Sequence, residues 1–534
     1  MDNVIASEAR QAKEHKSSAL EKRLKRQVIG KPHRFQAVVP LGFEQTLFHE
    51  LCSILKSDDS AEASDTNFLP HITGDGKVEF TAKITDAWKA VAYSRVANRI
   101  LMHLADFKAE NFRELEKKAA EIPWELYLAQ KGVHIHVSCK HSRLYHSDAI
   151  AERLYKIIEG VGVGQKSQLL GSVMPARKRS VATLALCSCP LAPVSPNNAK
   201  SKVDNKFPEP AEGSETSATP SPRGSAPNTP PQNLFATLIN DRCTIWLDLA
   251  GEELYRRGHE RFVNDAPLKE TIAAGMILEA IEILRLRATH GVYPEQSRRA
   301  QEDTVPITLI DPMAGSGTFS LEAAYMASSL IPGICRDFAL KHQPAFKEAT
   351  WKFLTRRENG QSPTDERREV AAATITKIVT SDISEHAIEI IRHNIECSPL
   401  ASIAPSENSP TITPQIRDFF SYTAKDIADT CGESAPIIVL NPPYGKRLDF
   451  DAPKLYTKIG RHLAALASGL KQLGKTLTVA ILAPKDDTRD GAKYTCTANL
   501  LRECPALSPE NNAAAKHIVT SHGGLTLNVL IAKI

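Results

Sequence analysis

The chain has 534 residues, 42% hydrophobic and 24% charged, which suits ordinary buried cores and excludes wholesale disorder or a collagen-like fibre. Its net charge of +4 is too mild to announce a nucleic-acid partner from bulk charge. No apolar run approaches the roughly 18–20 residues that span a bilayer, and the N-terminus lacks the apolar stretch of a secretory signal. Ten scattered cysteines fit a reducing compartment, so a cytoplasmic protein is expected, with no membrane partner. Cys187 and Cys189 have no matching second pair, and no metal site is expected.

Residues 1–34 carry nine Lys/Arg against four acids and read as a basic flexible tail that either stays solvated or touches phosphates. Order is expected from Phe35, with a strand Phe35–Val39, a turn Pro40-Leu41-Gly42-Phe43-Glu44 and a helix through Phe48 and Leu51. A second strand fits Lys77–Ala82. The three- and four-residue spacing of apolar groups over Ala87–Leu101 predicts an amphipathic helix. A second α+β segment follows: a helix around Asn111–Ile122, the alternating strand Val133–Val137 and a helix over Ser147–Ile158. His134 and His136 share one strand face, read as solvated because no third ligand stands at a diagnostic spacing.

Residues 190–232 hold ten prolines and six serines, and almost no bulky apolar groups. Such a stretch cannot bury enough surface to offset its ordering entropy and is expected to be a disordered insertion. Thr244–Leu249 resumes as a strand. From about Gly251 the pattern becomes α/β. Strands are expected at Val305–Ile310, Ile375–Thr380, Pro436–Leu440 and Thr476–Leu482, with a helix over Thr318–Ser328. Strands alternating with helices imply a doubly wound parallel sheet, in which ligands bind beyond the carboxyl ends of the strands.

Chemistry is therefore sought just after the strands. Asp311-Pro312-Met313-Ala314-Gly315-Ser316-Gly317-Thr318 ends the first of them and opens a helix. A triphosphate-binding loop would need a lysine that is absent, and a dinucleotide fingerprint would need glycine where Ser320 stands. Asp311 would repel a pyrophosphate, whereas S-adenosyl-L-methionine carries an ammonium and a sulfonium. Val379-Thr380-Ser381-Asp382-Ile383 ends in an acid able to accept from ribose hydroxyls. It lies 71 residues beyond Asp311, so an insertion over about Pro332–Arg368 is expected between them. Asp418 could hold an adenine amino group while Phe419 flanks the ring.

The sharpest signal is Asn441-Pro442-Pro443-Tyr444 directly behind the apolar run Ile437–Leu440. Two prolines fix the backbone. The Asn441 side-chain oxygen and the Pro442 carbonyl become fixed acceptors for an –NH2 group, and Tyr444 offers a face for stacking a planar substrate. An amino nitrogen on a base or amide is a poor nucleophile, and preorganised acceptors favour its attack on a sulfonium methyl.

These residues resemble the class I, S-adenosylmethionine-dependent amino methyltransferases that use Asn-Pro-Pro-Tyr. Leu249–Arg261, Ala266–Ala274, Ile331-Pro332-Gly333 and His522-Gly523-Gly524-Leu525 narrow the likeness to bacterial 23S rRNA guanine-N2 methyltransferases with a THUMP domain. Pro40–Glu44 and Tyr93–Arg99 are similar to the N-terminal parts of that family. The likeness runs over residues 35–534 and covers the first of the two methyltransferase halves that some members carry. It implies a ferredoxin-like domain at 35–105, a THUMP RNA-binding domain at 106–250 interrupted by the insertion, and a Rossmann-like methyltransferase domain at 251–534. It also implies cofactor contacts at Asp311, Pro312, Gly315, Gly317, Thr318, Asp382, Ile383, Asp418 and Phe419, and a target amine at Asn441, Pro442, Pro443 and Tyr444. The expected partner is structured RNA, 23S rRNA first and tRNA second. Adenine-N6 DNA methylation, glutamine methylation and a non-catalytic RNA-binding assembly role are the rival readings.

Overall fold

The computed structural model describes residues 18–55, 69–129, 133–161, 232–263, 267–285, 305–356, 375–402, 410–444, 451–486 and 495–534. Residues 1–17, the Cys187/Cys189 pair and the Pro/Ser-rich stretch up to residue 231 lie outside them. Among the described residues no helix is long and apolar enough to cross a membrane.

The first half builds one sheet from β1 (Pro32–Val38), β2 (His71–Gly74), β3 (Lys77–Lys83), β4 (Arg99–Lys108), β5 (Val133–Lys140), β6 (Gln232–Ile239) and β7 (Arg242–Asp248). The order is β2-β3-β1-β4-β7-β6-β5, antiparallel except for the β5–β6 pair. Helices α1 (Glu44–Leu55), α2 (Ile84–Tyr93), α3 (Phe112–Ala120) and α4 (Ser147–Val161) accompany it. The domain boundary expected at 105/106 falls inside β4, whose two edges are bonded to β1 and β7. The two N-terminal modules thus share a sheet. The tail expected to reach residue 34 is also shorter, because residues 18–24 are helical, Lys25–Ile29 form a π-helical turn, and Leu24 and Val28 are buried. At the far end of the insertion, Gln232 already belongs to β6.

The helix expected over Ala87–Leu101 stops at Tyr93. Glu50 of α1 takes the Ser94 hydroxyl at 2.5 Å and the Arg95 amide at 2.7 Å, which turns the chain out of the helix. The helical spacing persists in sequence only because Val96, Ala97 and Ile100 are buried from a turn and from β4.

The second sheet holds β8 (Ile307–Asp311), β9 (Ile375–Asp382), β10 (Ile412–Ile416), β11 (Ala435–Leu440), β12 (Thr478–Pro484), β13 (Lys516–His522) and β14 (Leu525–Lys533). Its order is β10-β9-β8-β11-β12-β14-β13, with β10, β9, β8, β11 and β12 parallel and β14 antiparallel to both neighbours. The helices are α5 (Glu270–Arg285), α6 (Thr318–Ala327), α7 (Glu348–Leu354), α8 (Glu385–Glu396), α9 (Ala424–Cys431), α10 (Ala452–Gln472) and α11 (Cys496–Glu503). Alternation along β11 sends Ile437 and Val439 into one core with α5 and α6, and Ile438 and Leu440 into a second with α10. This is the doubly wound arrangement expected, with helices on both faces. Strand order reverses between β8 and β11, which opens a crevice beyond their carboxyl ends.

Three joints lock the sheets together. A Cβ on Gly42, whose φ is +84°, would lie 2.4 Å from Ile518 Cγ2, and one on Gly275 would lie 2.7 Å from the Phe43 ring. Thr46 Oγ1 and Lys516 Nζ both donate to Glu279, and Thr271 Oγ1 donates to Asn98 Oδ1 at 2.8 Å. In the insertion between β8 and β9, the Leu340 amide donates to the Leu249 carbonyl and Arg336 to the Glu252 and Glu253 carbonyls. Pro40–Glu44 and Tyr93–Arg99 thus serve as contacts between the halves.

Candidate active site

β8 delivers Asp311 fully buried at the head of the glycine turn. Gly315 and Gly317 have φ of +54° and +78°, the region that favours glycine, and Gly317 caps α6. A Cβ at Gly317 would press to 3.1 Å on Ile391 of α8. Asp311 Oδ2 accepts from the Ser320 hydroxyl at 2.8 Å and its amide at 3.3 Å, while Oδ1 is buried with no partner among the described residues. Burial, helped by the nearby Asp382 charge, pushes the Asp311 carboxyl up to about 7.

Asp382, at the end of β9, braces the same turn. Its Oδ2 accepts from the Gly315 amide at 2.9 Å and its Oδ1 from the Ser384 amide at 2.9 Å. Each carboxylate oxygen keeps a further lone pair for a ligand. Ile383 beside it is 71% exposed, an apolar face at the crevice. Beyond β10, Asp418 caps the turn Phe419–Ser421 through the Phe420 amide at 3.0 Å. Phe419 does not offer its face to a ligand: it is 2% exposed, with its ring edge-on to His462 at 4.8 Å.

β11 runs into Asn441, whose Oδ1 is likewise buried without a donor among the described residues. Ile438 pairs with Ile310, so Asn441 lies two residues beyond the level of Asp311 on the neighbouring strand and shares its face. With a rise near 3.3 Å and strand spacing near 4.8 Å, their Cα positions are roughly 8 Å apart. Pro442 is buried, Pro443 exposed and Tyr444 half-buried against the first core. Burial pushes the Tyr444 hydroxyl up to about 12, which leaves it neutral. Two buried oxygens without donors thus stand at the ends of adjacent strands. One suits a cationic N–H and the other a neutral –NH2 group, because an unmet buried acceptor costs free energy that a donor-bearing ligand recovers.

Thr318 and Pro312 sit behind the turn. Thr318 is 4% exposed and its hydroxyl accepts from Arg261 Nη2, and Pro312 is buried. Arg261 Nη2 also donates to Ser316 Oγ at 3.2 Å, and Nη1 pairs with Glu270 of α5. Asn394 of α8 donates to the Ser316 and Phe262 carbonyls and accepts from the Phe262 amide. Neither Arg261 nor Asn394 has a sequence signal for this role, because each reaches the turn from an element distant in the chain.

Residues 299–479 match the family described as RMKL-like, methyltransferase domain. The ribosomal RNA large subunit methyltransferase K/L of Psychromonas ingrahamii is 25% identical over 406 residues, which cover 74% of this chain and 41% of that protein. The protein of the same name from Allochromatium vinosum is 25% identical over 422 residues, 75% of this chain and 44% of that protein. The chain therefore spans less than half the length of these curated relatives. Among solved structures, SMU.472, crystallised in complex with SAH, covers 94% of this chain and 98% of its own at 18% identity, with a TM-score of 0.57. A predicted N6-adenine-specific DNA methylase from Listeria monocytogenes covers 94% of this chain and 96% of its own at 18% identity, with a TM-score of 0.55. These likenesses show a class I methyltransferase-like α/β fold, and the resemblance read from the motifs holds over the greater part of the chain.

Proposed function

We propose, from the premise that residues 299–479 form an RMKL-like methyltransferase domain, that the protein is an S-adenosylmethionine-dependent RNA methyltransferase acting on the exocyclic N2 of a guanosine in 23S rRNA. The observation that carries this reading is the unpartnered Asn441 oxygen beside the glycine turn. The residues present fit the cofactor: Asp311 Oδ1 lacks a donor that an ammonium supplies, Asp382 keeps acceptor capacity for ribose hydroxyls, and Ile383 gives adenine an apolar face. Asp418 remains the acceptor for the adenine amino group. When bound, the cofactor supplies an electrophilic methyl on sulfur. Asn441 Oδ1 and the Pro442 carbonyl take the two N–H bonds of the guanine amine and aim its nitrogen at that methyl. Tyr444 stacks on the base, which must leave its helix or loop to enter.

The relatives named for ribosomal RNA support an RNA substrate. In this reading the sheet of the first half, with a THUMP module on its β5–β7 side, grips structured RNA in the cytoplasm, and the basic N-terminal residues add phosphate contacts. Labelled methyl transfer to total RNA, followed by nucleoside digestion and mapping, tests the assignment. N2-methylguanosine in 23S rRNA is the expected product, and label in tRNA, DNA or protein would replace it with one of those substrates.

Asp311 makes a further expectation. Burial pushes its carboxyl up to about 7, and a bound ammonium favours the ionised form. Cofactor affinity should therefore fall as pH drops from 8 to 6, by up to about tenfold per unit below the carboxyl's pKa, and level off above it. For folding itself the same shift has the opposite sign: stability is lost as pH rises from about 4 through 7. Titration calorimetry with S-adenosylhomocysteine across that range checks it. Asp311→Asn should bind weakly with a flat profile, and an equally flat wild-type profile would overturn the role.

A further inference from the structure

His134 and His136 share a strand face that the methyl-transfer site does not use, and rings from neighbouring strands complete a row there. His103 of β4 pairs with Trp246 of β7, Trp246 with Phe235 of β6, and Phe235 with His136 of β5. Strand alternation therefore puts four rings from four adjacent strands on one face, and neither hydrophobic core includes Trp246 or Phe235. His103 lies edge-on to Trp246 at 5.1 Å, and His136 lies flat on Phe235 at 4.8 Å. The Arg34 guanidinium sits 5.2 Å over Trp246, and that of Arg99 sits 5.4 Å over Phe235. The outer surface of the row is thus made by Arg34, 42% exposed, and by the exposed His136. Burial holds His136 below the usual histidine range, so its ring is neutral at neutral pH.

Positive charge surrounds these rings. On β1 and β4–β7 the same face carries five Lys/Arg, at 34, 99, 108, 140 and 242, against Asp106 and Asp248. Further along it, Thr237, Ile239, Asn240, Arg242 and Thr244 line a hollow of about 330 Å³, whose hydroxyl, amide and guanidinium groups suit the edge of a base. Flat rings and guanidinium planes stack with any base whose faces are free, and bases inside a duplex have none free. The row is also tied to the segment that opens the second half. His136 Nε2 meets Asn233 Oδ1 at 3.4 Å, while Asn233 Nδ2 and Arg99 Nη1 both donate to the Gly251 carbonyl, at 2.5 and 2.9 Å.

We propose that this face binds an unpaired stretch of RNA, with bases stacked on Arg34 and His136 and phosphates drawn to the surrounding lysines and arginines. This rests on the RNA reading above and adds to it a surface and a kind of RNA, unpaired rather than helical.

Fluorescence anisotropy on the full chain tests it, with labelled oligo(U) of about twelve nucleotides against an RNA duplex of the same length. His136→Ala should weaken oligo(U) binding by roughly tenfold, the scale of one lost base stack, and leave the duplex within about twofold. His136→Tyr keeps a ring and should restore oligo(U) to within about threefold of native. Because the lost ring is neutral, the salt dependence in His136→Ala should keep the native slope. Arg34→Lys keeps the charge and gives up the plane, so it should lose nearly as much as Arg34→Ala. Native affinity for S-adenosylhomocysteine in each variant shows that the fold is intact. If His136→Ala and Arg34→Ala bind oligo(U) as the native protein does, RNA does not touch this face and the inference fails. Equal losses on oligo(U) and duplex would make these residues backbone contacts and overturn the stacking. If the native protein binds neither RNA and labelled methyl goes to DNA or protein, the RNA reading itself fails.

Discussion

Asn441→Ala is expected to cut methyl transfer by about a hundred- to a thousandfold or more, the scale of removing one preorganised partner of the reacting group. Cofactor affinity should stay within about threefold, because Asn441 serves the target amine. Its oxygen bonds nothing among the described residues, so the substitution removes a buried unmet acceptor. Stability should therefore be unchanged or rise by up to ~1 kcal/mol, the reverse of the usual sign for a substitution at a half-buried polar site. Asn441→Asp keeps an acceptor oxygen at the same position and should lose less activity than alanine. Single-turnover kinetics with thermal melting separate the two effects. A variant that turns over at the native rate, or one that melts several degrees lower, would remove Asn441 from the proposed role.

That site was legible in the sequence because its parts are local. An apolar run followed by a polar residue and proline marks the carboxyl end of a parallel strand, and β8 and β11 end that way, while β9 is marked by its terminal acid alone. Asp311, Asp382 and Asn441 could be placed without knowing how the strands pair. Side-chain direction was less accessible. Thr318 and Phe419 stand at the expected positions, yet a helix start turns one hydroxyl toward Arg261 and a tight turn buries the other's ring on His462. Arg261 and Asn394 act only through the folded chain. The seam at β4 was hidden for the same reason: its partner β7 lies well over a hundred residues further on, across the insertion. Gly42 could be read as a turn glycine, and its positive φ agrees, but its closeness to Ile518 belongs to packing between the halves.

Arg257→Ala is expected to be the most destabilising of these substitutions, by roughly 3–5 kcal/mol. Arg257 Nε and Nη2 reach the two oxygens of Glu322 at 2.9 and 3.0 Å, with side-chain exposures of 2% and 0%. Nη1 donates to the Leu254 carbonyl and Nη2 also to the Arg95 carbonyl, so one guanidinium ties the first half, the linker and α6. Removing it strands a carboxylate out of reach of water, with its desolvation no longer offset by a paired charge. Replacing both partners, as in Arg257→Met with Glu322→Leu, leaves no stranded charge and should recover most of the loss. Denaturant unfolding of the two single variants and the double variant closes the cycle. A single-variant cost below about 1 kcal/mol would show that the joint is carried elsewhere. Since α6 opens on Gly317, a real loss should also appear as weaker cofactor binding well below the melting temperature.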